Sequence, residues 1–111
     1  MNQGDVFWHT FAAPDKRRPV VVITRQPALR FLTSVTVAPV TSRVRQTASH
    51  VPVGPADGVP RPSAVNLDGV QTVAVADLGP YITSLSRARL AQVRAAIEFA
   101  FGLAALDPDR V

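Results

Sequence analysis

Two positions in this 111-residue chain set a chemically useful side chain against a segment rigid enough to hold it. Arg18 ends a loop and stands immediately before the apolar run Pro19-Val20-Val21-Val22-Ile23, and Thr41 follows the alternating segment Ser34-Val35-Thr36-Val37-Ala38-Pro39-Val40. An arginine fixed at a strand end can grip a phosphate through two N–H donors and stabilise charge that builds on a pentavalent phosphorus. A threonine hydroxyl beside it can donate to a phosphoryl oxygen. The pair therefore permits phosphodiester chemistry, although a loop arginine beside a proline equally serves as a surface ion-pair member. Residue types alone leave both roles open.

Other reactive groups are sparse. The acids are seven Asp and one Glu scattered between loops, whereas a hydrolytic metal site needs several carboxylates or histidines converging on one point. His9 and His50 could form an acid–base pair, but histidines in strands of a small domain more often serve structure. Gly-x-Ser-x-Gly, Walker A and Gly-x-Gly-x-x-Gly sequences are absent, so acyl transfer and nucleotide-phosphate cradling lack support. No metal and no cofactor is expected.

The elements that would position Arg18 and Thr41 read mostly as short strands. Gly4–Phe11 mixes β-branched and aromatic residues, and Pro19–Thr24 carries four consecutive aliphatic β-branched residues, Val20 to Ile23, the mark of a strand buried on both faces. Pro19 cannot donate to a ladder and is expected at the first position of that strand or on its loop side. Ser34–Val40 alternates as a third strand whose regular pairing Pro39 should end. Ser49–Val53 is a short strand after a polar loop, and 54–62, Gly- and Pro-rich, is a surface connection. Ser63–Asp68 and Val70–Val75 are strands interrupted at Gly69, and Tyr81–Thr83 is a last short one. A single helical turn is expected near 26–32. The one extended helix begins at Ser86 as N-cap, carries Leu90, Val93, Ile97, Ala100 and Phe101 on one apolar face, and stops at Gly102. Arg89 occupies the position where a capping box would have Glu. About six short strands closed by one helix make a mainly β (α+β) domain.

Composition agrees with one core. Forty-seven per cent hydrophobic residues over 111 positions suffice for a single domain with its body at about 4–103 and a flexible tail at 104–111. The net charge of +4 is unevenly placed. Residues 16–61 hold Lys16, Arg17, Arg18, Arg25, Arg30, Arg43, Arg45 and Arg61 against Asp57 alone, a net +7, and the remainder carries −3. That bias suits an anionic partner such as a nucleic acid, or a solvated arginine-rich surface. Without cysteine there is neither a disulfide framework nor a thiolate metal site. No apolar run approaches the roughly 18 residues of a membrane span, Met1–Asp5 lacks the regions of a secretory signal, and a cytoplasmic protein with no membrane partner is expected.

The order of motifs carries more information than any one of them. Gly4-Asp5-Val6 opens the chain, followed by Lys16-Arg17-Arg18-Pro19-Val20-Val21-Val22-Ile23, Val37-Ala38-Pro39-Val40-Thr41-Ser42-Arg43 and Ser49-His50-Val51. Next come Ser63-Ala64-Val65-Asn66-Leu67-Asp68, Val70-Gln71-Thr72 and a helix closing on Phe101-Gly102-Leu103. Over roughly residues 4 to 103 this series resembles the MazF/PemK family of toxin endoribonucleases. The resemblance implies an SH3-like small β-barrel with a C-terminal helix, a homodimer, and sequence-selective, metal-independent cleavage of single-stranded RNA, as the toxin of a toxin–antitoxin pair. It further implies attack by the ribose 2′-hydroxyl on the adjacent phosphorus, leaving 2′,3′-cyclic phosphate and 5′-hydroxyl ends. Carried over position by position, the catalytic residues are Arg18 and Thr41, and the RNA-binding set is Asp15, Arg17, Ser42, Arg43, His50, Asp68 and Gln71. Arg18 would stabilise charge; whether it also gives a proton to the 5′-oxygen stays open, because guanidinium is a very weak acid. The sequence departs from the family in the short loop before Arg18, which lacks a Ser-Glu-Gln run and offers only Asp15, and in Gly69, where Gln is usual.

The resemblance also implies a partner: a cognate acidic antitoxin that folds over the basic site. Two other readings stand beside the endoribonuclease. A CcdB-like toxin on the same barrel would bind DNA gyrase without catalysis, and a third kind of barrel would bind RNA without cutting it.

Overall fold

The computed structural model describes residues 1–12 and 16–103. Asp15 and the tail at 104–111 lie outside them. The described chain forms strands β1 (Asp5–Thr10), β2 (Arg17–Val22), β3 (Ser34–Thr41), β4 (His50–Val53), β5 (Ser63–Asn66), β6 (Gln71–Ala74) and β7 (Tyr81–Ser84), then helix α1 (Arg87–Ala100). All pairings are antiparallel. The sheet path runs β4-β5-β3-β2-β1-β7, six strands curled into a half-barrel, with β6 a seventh that also pairs β3. This is the expected small barrel with a C-terminal helix.

Why Val20–Val22 reads as an unbroken apolar run is visible in the two faces of β2. Val21 joins Val6, Ala38, Val40, Val65, Leu67 and Val93 in the core beneath α1. Val20 and Val22 turn the other way, onto Val35 and Val37 with Phe7, Phe11 and Leu29 against them. A central strand with apolar cover on both sides needs no polar alternation.

Two proline expectations are corrected. Pro19 is the third residue of β2 rather than its first or a loop residue, and it stands opposite Trp8. It is tolerated there because Trp8 turns its backbone away from β2: its N–H donates to the Pro80 carbonyl (2.9 Å) and its carbonyl accepts from Gly79 N–H (2.7 Å). Pro39 does form the last rung with β2, opposite Val20. The strand does not end there, however, because Val40 and Thr41 continue it in a new pairing with Val65 and Ala64 of β5. Thr41 is thus the last residue of β3.

The interruption at Gly69 is a 3-10 turn, Leu67–Gly69, and another forms the expected single turn at Gln26–Arg30. In the 54–62 connection a 3-10 turn spans Pro55–Asp57, and Val59 is buried in the main core, so this loop is a packed element and not only a surface link. Helix α1 starts as expected, with the Ser86 hydroxyl accepting from Arg89 N–H (3.1 Å), and stops at Gly102 with φ +71°. Val93 and Ala96 are buried beneath it, with Leu90, Ile97 and Ala100 partly so. Phe101 is not part of that face. It caps the last turn beyond the final core contact and is 55% exposed.

Candidate active site

The β2–β3 register brings the two singled-out residues together. Val22 faces Val37, Val21 faces Ala38 and Val20 faces Pro39. Arg18 and Thr41 each lie two residues beyond that last rung, where β3 has passed to β5. Both leave the same side of their strands, because side chains alternate with period two. Beyond Val20 and Pro39 the two strands are no longer paired, and a groove of about 600 Å³ opens over their ends.

Arg18 and Thr41 both line this groove, together with Lys16, Arg17, Ser42, Arg43 and Arg61. Five cationic side chains line it and, among the described residues, no carboxylate does. Such a wall concentrates positive potential in a concave, partly apolar space. Thr41 is held in position by its own loop: its Oγ1 accepts from Arg43 N–H (3.1 Å), a turn that leaves the hydroxyl proton available for another acceptor. Arg17 and Arg18, adjacent in a strand, leave opposite sides. The Arg17 guanidinium lies 4.4 Å from the Trp8 ring centroid and that of Arg18 lies 5.9 Å from Phe11, so each is steered by an aromatic face.

The far rim of the groove is supplied by the 54–62 connection through Val59, Pro60 and Arg61. Asp57 anchors that connection. Its carboxylate accepts from Gly54 N–H (2.9 Å) and from Arg89 Nε of α1 (2.9 Å), and Thr83 donates to its carbonyl (3.1 Å). The Arg89 guanidinium beside it, joined by the Gly54 N–H, holds the Asp57 carboxyl below its ordinary value of 3.8 in spite of partial burial. Arg89, which breaks the capping box, thus serves the loop instead of the helix end.

Arg17, Arg18, Thr41, Ser42 and Arg43 of the expected set meet in the groove, while His50, Asp68 and Gln71 are not among its lining residues. His50 faces Asn66 across β4–β5, and its Nδ1 accepts from Arg45 N–H (3.2 Å). Asp68 accepts the Ser49 hydroxyl (2.5 Å) and caps nothing in the groove. Gln71 is exposed on β6 opposite Val37. A paired-histidine mechanism finds no geometry: His9 is on β1 and His50 on β4, with β2, β3 and β5 between them. His9 is buried, edge-on to Phe11 at 4.7 Å between ring centroids. Among the described residues no cluster of three or more His, Asp or Glu gathers for a metal ion. Gly69 fits its place closely, since a Cβ there would stand 3.1 Å from both Asn66 Nδ2 and Pro39 Cγ.

Sequence reasoning missed Trp8, Lys16, Arg61 and Ser63 as groove residues. Lys16 and Arg61 sit at the two ends of the +7 segment, a signal that was present; Trp8 gave none beyond being the chain's single tryptophan.

Comparison with known proteins points one way. The profile of the family described as PemK-like, MazF-like toxin of type II toxin–antitoxin system matches residues 2–101. The chain is 44% identical over 89 residues to Endoribonuclease MazF3 of Mycobacterium tuberculosis, covering 80% of this chain and 86% of that protein. It is 41% identical over 99 residues to the probable endoribonuclease MazF5 of the same organism, covering 88% and 90%. Its fold superposes on the solved structure of Mycobacterium tuberculosis toxin MazF-mt6 with a TM-score of 0.81 at 39% identity, over 88% of this chain and 96% of that one. It also matches the fold of a mycobacterial endoribonuclease solved in complex with its cognate antitoxin, with a TM-score of 0.83 at 22% identity, over 93% and 96%.

Proposed function

The chain belongs to the PemK-like, MazF-like toxin family of type II toxin–antitoxin systems and is a toxin endoribonuclease; on that premise we propose that its basic groove holds single-stranded RNA and cleaves it without a metal ion. The observation that carries this reading is that Arg18 and Thr41, each two residues beyond the last β2–β3 rung, both line a groove walled, among the described residues, by five cations.

The ribose 2′-oxygen attacks the neighbouring phosphorus, the bond from phosphorus to the 5′-oxygen breaks, and the 2′-hydroxyl proton is lost as the 5′-oxygen gains one. The products are a 2′,3′-cyclic phosphate and a 5′-hydroxyl. Negative charge on the phosphoryl oxygens peaks midway, and there the Arg18 guanidinium and the Thr41 hydroxyl stabilise it. Arg17, Lys16, Arg43 and Arg61 bind flanking phosphates, and Ser42 offers a hydroxyl at the same mouth. Sequence selectivity comes from base edges and stacking along the groove. His50, Asp68 and Gln71 contribute only where the strand extends past the groove onto β4 and β6. Endoribonuclease relatives at 41–44% identity disfavour the gyrase-binding alternative.

The same groove accommodates the acidic segment of a cognate antitoxin, and exposed Phe31, Phe99 and Phe101 supply apolar surface for a second copy of the chain. A monomer mass in light scattering at micromolar concentration would reject the homodimer. For the chemistry, purified protein is incubated with single-stranded RNA in EDTA and the ends are mapped. Cyclic-phosphate ends are expected, with Arg18→Ala losing at least about 100-fold in rate while circular dichroism is unchanged. Wild-type rates in both Arg18→Ala and Thr41→Ala would refute the assignment.

A further inference from the structure

We propose that Trp8 is a stacking platform for one unpaired base of the bound strand, with Arg17 as the group the base displaces; this rests on the reading of the groove as the RNA site. Trp8 is half-buried and lines the groove. It faces Pro19 across β1–β2, and Arg17, two residues from Pro19 on the same strand, leaves the same side. Pro19 and Pro60 add two further apolar surfaces, and Arg61 another cation, to the same groove.

The chemistry of this corner defines its occupant. A ring in a wall of cations with, among the described residues, no carboxylate suits a group that is flat and apolar on its faces and joined to an anion. A nucleobase on a phosphate backbone is such a group, and every base offers a face to an aromatic side chain. The guanidinium of Arg17 lies 4.4 Å from the centroid of the indole ring. A guanidinium pairs more strongly with a phosphate than with an exposed ring, so an arriving strand draws Arg17 onto its backbone and frees the indole for the base. Trp8, Arg17 and Arg18 all line the same groove, so a base held at Trp8 and a phosphate held at Arg18 belong to one bound strand. Stacking there sets the position of the strand along the catalytic pair.

Trp8 is the chain's only tryptophan, so its emission reports this one corner. The probes are uncleavable 2′-deoxy versions of an RNA the protein cuts, each with a single abasic position. The parent strand is expected to quench Trp8 emission, and one abasic position to abolish the quenching and weaken binding about tenfold. Trp8→Ala should weaken the parent strand by the same factor, leave that abasic strand unaffected, and be largely rescued by Trp8→Phe. Equal quenching by every abasic strand overturns the platform in the unmodified protein, whatever the variants do. So does parental affinity in a folded Trp8→Ala. Failure of the unmodified protein to bind or cut any single-stranded RNA overturns the platform and the RNA reading together, whereas cleavage with Trp8-independent binding overturns the platform alone.

Discussion

Salt dependence offers a quantitative check on the groove, because its charge inventory is explicit. Lys16, Arg17, Arg18, Arg43 and Arg61 line it, with no carboxylate among the described lining residues. Each phosphate neutralised by a cation releases condensed counterions, and for single strands each contact adds about −0.7 to the slope of log affinity against log salt. Five contacts give a slope of about −3.5. Raising monovalent salt from about 50 to about 200 mM should then weaken binding about 100-fold. The substitution Arg61→Gln removes one cation from the rim contributed by the 54–62 connection, away from the Arg18–Thr41 pair. Its slope should fall to about −2.8. Fluorescence anisotropy of a labelled, uncleavable 2′-deoxy oligonucleotide, titrated at four or five salt concentrations, measures both values. A slope near zero for the unmodified protein would show that the groove does not take up phosphates. An unchanged slope in Arg61→Gln would remove the 54–62 rim from the binding surface.

Two stability predictions concern the same rim. The Arg89–Asp57 pair is partly sheltered, its side chains 31% and 12% exposed, so Asp57→Asn should cost about 1–2 kcal/mol at neutral pH in urea unfolding. Because the folded carboxyl is held below 3.8, this contribution is complete above that value and is lost as pH falls through the folded one. The difference between wild type and variant should therefore vanish in acid, and a gap independent of pH would argue against the pair. Gly58 has φ +86°, and a Cβ there would stand 2.7 Å from Thr83 Cβ. Gly58→Ala should thus lose about 2 kcal/mol or more, roughly a 10 °C fall in the thermal midpoint, read by calorimetry; an unchanged midpoint would show that the turn is not constrained.

Much of the architecture was legible in local patterns. The Val20–Val22 run identified a strand covered on both faces, Ser86 and Gly102 bounded the helix, and Gly69 marked a break that proved to be a 3-10 turn. Local pattern failed where the answer depended on a neighbouring strand. Whether Pro19 could sit inside β2 was decided by Trp8 directing its backbone groups to Gly79 and Pro80, and nothing near Pro19 in sequence records that. Phe101 kept helical spacing with the core residues but fell past the end of the core. The site divided along the same line. Arg17, Arg18, Thr41, Ser42 and Arg43 flank strand ends in sequence and stayed together in space. Trp8 and Arg61 reach the groove only through the β1–β2 register and the folded-back 54–62 connection, and the chain order gives neither.

Pro19 also has a consequence for how the groove comes to exist. Since Trp8 turns its polar backbone toward β7, the backbone of Pro19, its neighbour across β1–β2, is directed the other way, toward β3. There the next rung after Val20 and Pro39 would need an N–H from residue 19, and proline has none. The ladder cannot close further like a zipper. The gap between the strand ends is therefore written into the covalent structure of one residue, and an incoming strand meets an opening it does not have to make. In this barrel a missing hydrogen atom acts as the doorstop.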